Sequence, residues 1–169
     1  SAFVVAGGAS LHLIHAFANT PGCQYLPVHH EQSAAMAADG FTRSSGRLGV
    51  AIATSGPGAT NLITGIAGCY YDSIPAIFLT GQVSTTRMVG STSVRQVGFQ
   101  ETPIVDMVRP ITKGAFEVLN KNDVRRVLEE AVWLATQGRP GPVLIDVPDD
   151  VQRQEIVWDD LGAFSAPRD

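Results

Sequence analysis

The sequence predicts a three-layer α/β/α sandwich on a mostly parallel six-strand sheet, and three observations carry that prediction. Its candidate strands are apolar from end to end, as strands covered on both faces are. They alternate along the chain with segments of helical periodicity, the order that βαβ units produce. Glycine-rich or polar clusters follow the strands, at the carboxyl edge where such sheets bind ligands. The 169 residues amount to one domain, and 44% apolar against 17% charged residues is a core-forming composition.

The first strand is "AFVVA", residues 2–6, and it stops at Gly7-Gly8. In "SLHLIHAFAN" (10–19), Leu11, Ile14 and Ala18 share one helical face and Ser10 is a suitable N-cap. A second strand, "CQYLPV" (23–28), leads into an alanine-rich helix from Glu31 to about Arg43. "RLGVAIAT" (47–54) is a strand that runs straight into "SGPGATN", after which "LITGIAGCYYD" is helical. "PAIFLTG" (75–81) is another apolar strand ending on Gly81. "TPIVDMV" (102–108) is a short helix with Pro103 in its first turn. The pattern closes with a strand in "ITKGAFEVL" (111–119), an amphipathic helix in "NDVRRVLEEAVWLATQ" (122–137), and a buried strand in "GPVLIDVP" (141–148). The alternation covers residues 1–152; residues 153–169 lose it and read as a linker toward a further domain. A chain that opens on a strand without Met predicts that a first helix is missing ahead of it.

A net charge of −4 with no basic run excludes a nucleic-acid footprint. No apolar run is long enough to span a bilayer, and no signal-peptide pattern opens the chain. Cys23 and Cys69 form neither a disulfide framework nor a metal spacing, so both read as buried thiols in a reducing, cytoplasmic compartment. His12 and His15 lack a third ligand, and no metal site is predicted in this chain.

Five polar features remain. "TSGPGATN" (54–61) joins strand to helix as phosphate loops do, but it has neither the lysine of a P-loop nor a third glycine at Asn61. Glu31 stands at a helix start, where a carboxylate complements the macrodipole or serves a function. His29 and His30 beside it read either as a proton relay or as a helix start satisfied by backbone. "RQVGFQETPIV" (95–105) is a polar loop with an exposed aromatic, Phe99, beside Gln100. The pairs Arg125–Glu129 and Arg126–Glu130 read as a solvated helix face.

Taken together, "VVAGGA" (4–9), "HEQSAAMAADGFTRSSG" (30–46), "TSGPGATNLITGIAGCYYDSIPAIFLTGQV" (54–83), "FQETPIVDMVRPITK" (99–113) and "GRPGPVLIDVPDDVQ" (138–152) resemble the N-terminal pyrimidine-binding (PYR) domain of thiamine-diphosphate enzymes, most closely the acetolactate synthase group. The resemblance implies the thiamine-diphosphate-binding fold and a parent enzyme, a transferase or lyase. Such a parent decarboxylates a pyruvate-like 2-keto acid and transfers the carbanion to an acceptor carbonyl. It implies that Glu31 is catalytic, its carboxyl group hydrogen-bonded to N1′ of the cofactor's aminopyrimidine. Pro57 and Gly58 would wall the pyrimidine, with Asn61 holding that loop. Gly7, Gly8, Phe99 and Gln100 would lie on the substrate side.

The family's phosphate- and magnesium-binding motif, GDG…NN, is absent from these residues. The resemblance therefore assigns Mg²⁺ and diphosphate to a separate domain, supplied by a second subunit of a homodimer or tetramer. This fragment alone is then expected to be inactive, and some relatives also bind FAD in a middle domain. Two departures touch substrate choice: "STSVRQVGFQE" stands where the synthases carry "GTDAFQE", and Val5-Ala6 replaces tyrosine-proline. The alternatives are another thiamine-diphosphate decarboxylase, lyase or carboligase, or a non-catalytic PYR subunit of a heteromer.

Overall fold

Short runs of small and β-branched residues build the sheet in the computed structural model, which describes residues 1–167. The strands are β1 (Ala2–Val4), β2 (Tyr25–Pro27), β3 (Gly49–Ala53), β4 (Ala76–Gln82), β5 (Gly114–Glu117) and β6 (Pro142–Pro148). They pair in the order β2-β1-β3-β4-β6-β5, and every pairing is parallel. Among the described residues seven α-helices accompany them: α1 (Leu11–Ala18), α2 (Glu31–Ser45), α3 (Pro57–Thr60), α4 (Ile63–Asp72), α5 (Ile104–Val108), α6 (Val124–Thr136) and α7 (Asp149–Gln152).

Alternation along the central strands sorts the core into two layers. Phe78 and Leu144 face Ala34, Ala35 and Ala38 of α2, Ile66 of α4 and Val108 of α5. Ile77, Val143 and Ile145 point the other way, onto Val127, Ala131 and Ala135 of α6. Leu13 and Ile14 of α1 cover Val4 and Ile52 on that second side. Between α1 and α6 the second face keeps an apolar cavity of about 620 Å³, bounded by Leu13, Phe17, Leu79, Leu128, Ile145 and Trp158. Edge strand β2 is exposed along its length and ends on Pro27, whose missing N–H lies on the unpaired side; the next bond to β1 comes from Val28 N–H to the Val4 carbonyl (2.9 Å).

Several elements differ from their sequence-based reading. The strand expected over 111–119 shrinks to β5, and a 3₁₀ turn, Arg109–Ile111, takes its first residue. Pro103 stands at the N-cap of α5, one place before its first turn. Ser10 precedes α1 without capping it, and its hydroxyl donates to the Gly7 carbonyl instead (3.2 Å). Gly81 lies inside β4, where an added Cβ would sit 1.8 Å from the Ala9 carbonyl oxygen. Cys69 is buried, and burial pushes its thiol up to about 12; Cys23 is only half-buried, two residues ahead of edge strand β2.

The segment after residue 152 returns across α6. The Arg125 guanidinium stands 5.4 Å from the Trp158 ring centre and donates to the Trp158 carbonyl, while Phe164 N–H donates to Glu129 (2.7 Å). The Arg125–Glu129 pair (3.0 Å) is therefore a half-covered anchor rather than a solvated face, and the hydrogen bonds from Phe164 N–H and the Arg125 guanidinium hold the Glu129 carboxyl below its ordinary range. Arg126–Glu130 (2.9 Å) forms as the spacing predicts. No helix among the described residues is long and apolar enough to cross a membrane.

Candidate functional site

The carboxyl ends of β1, β2, β3 and β4 gather the site, with Glu31 following β2. His30 takes an extended backbone as N-cap of α2, and its Nδ1 accepts from Gln32 N–H (3.1 Å). That cap, rather than a proton relay, is what the structure shows for His30. Glu31 is consequently the first helical residue and only 9% exposed. Its Oε2 accepts from Asn61 Nδ2 (2.9 Å); Oε1 takes no hydrogen bond from the described residues and is not sealed in.

The partner turn is formed at the end of β3. Ser55 is buried and Gly56 adopts φ 61°, ψ −122°, a conformation glycine supplies without steric cost. Pro57 then opens α3, so that Gly58 presents bare backbone to the carboxylate. A Cβ on Gly58 would lie 3.4 Å from Glu31 Oε1 and 2.8 Å from the Thr54 methyl group. Thr54 also fills the space over Gly7, where a Cβ would come within 2.5 Å of it, and its hydroxyl accepts from Ala9 N–H (3.2 Å). Asn61 does more than hold its own loop: it ties α3 to Glu31 and orients the carboxylate.

Gly8, Phe99 and Gln100 meet Thr54, Ser55 and Gln82 around a second cavity of about 350 Å³. Phe99 is 85% exposed. Gln100 is held at φ 63°, and a Cβ on Gly56 would lie 2.7 Å from its carbonyl oxygen, so the two turns are built against each other. The loop is gripped from inside by Glu101, whose carboxylate accepts backbone N–H groups of Val89, Val97 (3.0 Å) and Gly98 (3.3 Å). The predicted residues thus divide into a carboxylate cluster (Glu31, Pro57, Gly58, Asn61) and a cavity wall (Gly8, Phe99, Gln100), with Gly7 joined to both through Thr54.

Beneath that wall lies a polar network that the motif reading did not single out. Asp146 of β6 is fully buried; Thr80 Oγ1 donates to its Oδ1 (2.6 Å) and Gln82 Nε2 to its Oδ2 (2.9 Å). Burial pushes the Asp146 carboxyl up to about 7, against those two hydrogen bonds, with neighbouring Glu117 adding to the rise. Burial likewise raises Glu117, followed by repulsion from Asp106 and Glu101. The visible signal was a carboxylate inside the apolar run "VLIDVP", paired across the sheet with Thr80.

A raised carboxyl pKa means that the folded chain binds more protons than the unfolded chain between about 4 and 7. Its penalty is absent below that window and complete above it. Going from pH 5 to pH 8 should therefore cost the wild type stability, on the order of 3 kcal/mol from this group. Asp146→Asn should remove that share. Denaturation midpoints of both proteins at the two pH values check it: an equal loss in both would exclude Asp146 as the source.

A bare glycine backbone beside a carboxylate with one free, reachable oxygen fits a flat heteroaromatic ring bearing a nitrogen that can share a proton. No group of three His, Cys, Asp or Glu able to hold a metal ion occurs among the described residues.

The family model described as thiamine pyrophosphate enzyme, N-terminal TPP binding domain, matches residues 1–107. Acetolactate synthase 1, chloroplastic, of Zea mays is 49% identical over 159 residues, 93% of this chain and 24% of that protein. The chloroplastic acetolactate synthase of Arabidopsis thaliana is 48% identical over 152 residues, 90% of this chain and 22% of the relative. The chain spans about a quarter of the length of these curated relatives.

Proposed function

Because this chain belongs to the thiamine pyrophosphate enzyme N-terminal TPP binding domain family, we propose that it forms the pyrimidine-binding half of an acetolactate synthase-like active site. In this reading the whole enzyme decarboxylates a pyruvate-like 2-keto acid and joins the remaining acyl unit to an acceptor carbonyl. The single observation that carries it is the free Oε1 of Glu31, held over the bare backbone of Gly58.

When bound, thiamine diphosphate supplies the nucleophilic carbon of the reaction. The protein's part is positioning and proton management. Glu31 Oε1 would share a proton with the pyrimidine N1′, while the Asn61 amide fixes the carboxylate's rotation by engaging Oε2. Gly58 and Pro57 offer a flat wall, since any side chain at 58 would press on Thr54. Gly8, Phe99 and Gln100 border the cavity in which we set the 2-keto acid and its acceptor. Residues 91–98 precede that wall, and their divergence from the synthase pattern makes them the first place to look for substrate preference.

We assign the diphosphate and Mg²⁺ to a domain outside this sequence, contributed by a second subunit, so that a dimer is the smallest active unit. Any FAD belongs outside this chain as well. Residues 153–169 would lead onward from the PYR domain. Two free thiols suit a reducing, cytoplasm-like compartment, whereas the plant relatives are named as chloroplastic.

The test is product analysis with the complete protein, thiamine diphosphate and Mg²⁺, given pyruvate alone and with 2-ketobutyrate. Acetolactate and its mixed homologue are the expected products. Aldehyde alone would assign a plain decarboxylase. Failure to consume any 2-keto acid, with the cofactor bound, would remove the reading and favour a non-catalytic subunit.

A further inference from the structure

The strained backbone of Gln100 needs support, and the structure shows where it comes from. A non-glycine residue at φ 63° persists only where its surroundings hold it. The loop is held on either side of Phe99-Gln100. On one side, Glu101 collects the amides of Val89, Val97 and Gly98. On the other, Gln82 Nε2 donates to the Thr102 carbonyl (2.9 Å), the same oxygen that accepts Ile104 N–H (2.8 Å) as α5 begins.

Gln82 is 2% exposed and every polar atom of its side chain is used. Its Nε2 serves Asp146 Oδ2 and Thr102 O, and its Oε1 accepts Val83 N–H (3.0 Å). The three partners permit one amide orientation, because reversing it would set oxygen against two acceptors. Asp146 is held in turn by the Thr80 hydroxyl. The groups around this carboxylate are Thr80 and Gln82 of β4 and Glu117 of β5, with Asp106 and Glu101 beyond Glu117; none of these is a cation.

We infer that Gln82, clamped by Asp146, is a positioning residue: it pins the end of the Phe99–Gln100 loop to the sheet and so sets the geometry of the substrate-side wall. The inference rests on the proposed function for its effect on turnover, but not for its effect on the loop. Gln82 also lines the 350 Å³ cavity, so the clamp and the wall are one piece of structure.

The test uses the complete protein with Gln82→Met, which keeps the volume and loses the donor. Amide exchange over residues 97–104 should quicken about tenfold, as expected for one lost buried hydrogen bond, with the rest of the chain unchanged. KM for the 2-keto acid should rise by a similar factor of about ten, while the affinity for thiamine diphosphate stays within about twofold. Gln82→Asn, an amide one methylene too short to span both acceptors, is the milder second variant and should show the same local loss.

Asp146→Asn retains an acceptor for Gln82 and should keep the loop protected. Unchanged exchange at 97–104 in both Gln82 variants would overturn the inference, as would a rise spread evenly over the chain. A wild type that turns over no 2-keto acid would count against the proposed function and leave the exchange result standing.

Discussion

Glu31→Gln in the complete enzyme is expected to lower turnover by about 10²–10³-fold while leaving the unfolding midpoint close to that of the wild type. The substitution keeps shape and burial, and a glutamine oxygen can still accept from Asn61 Nδ2. What it removes is the carboxyl group's capacity to exchange a proton with a ligand at Oε1, the atom with no partner among the described residues. Because the lost interaction belongs to the reaction rather than to the fold, kcat should fall and stability should not. Steady-state kinetics beside a denaturation curve separates the two. A variant that is slow only because it is unfolded would point to a purely structural glutamate at a helix start.

Gly56→Ala is expected to be the most damaging small substitution in the site, costing about 3 kcal/mol of stability. At φ 61°, ψ −122° an L-residue is strained before any contact is considered. The added methyl group would then stand 2.7 Å from the Gln100 carbonyl oxygen and 3.2 Å from its Cα, backbone atoms that cannot swing aside. Either the Ser55–Gly58 turn or the Phe99–Gln100 loop must move, so KM for the substrate should rise together with the loss of stability. Thermal unfolding and KM of the variant check both; wild-type values would mean that the two turns are not packed as described.

Much of the architecture was legible because burial on both faces leaves a plain mark. "AIFL" and "VLI" have no polar face to offer, so they belong in the middle of a parallel sheet, and β4 and β6 are there. Glu31 and the Ser55–Asn61 turn were visible as a carboxylate and a glycine cluster at that sheet's edge, and the structure brings them to 2.9 Å.

What escaped notice were residues whose importance is relational. Gln82 looks like the polar end of a strand until Asp146, 64 positions later, is seen to hold it. Thr54 is one more β-branched residue until Gly7 and Gly58 both prove to lack a side chain against it. The return of Phe164 onto Glu129 depends on a tertiary contact that no local window contains. Arg125 and Glu129 were readable as a pair, but not as an anchor for another segment.

The central claim is that Glu31 meets the pyrimidine ring of thiamine diphosphate, and a crystal structure of the complete protein with the cofactor bound tests it most directly. A Glu31 carboxylate oxygen should lie within hydrogen-bonding distance, about 3 Å, of N1′, with Asn61 still engaging the other oxygen. A cofactor bound with its pyrimidine elsewhere, or with Glu31 turned toward protein partners only, would contradict it.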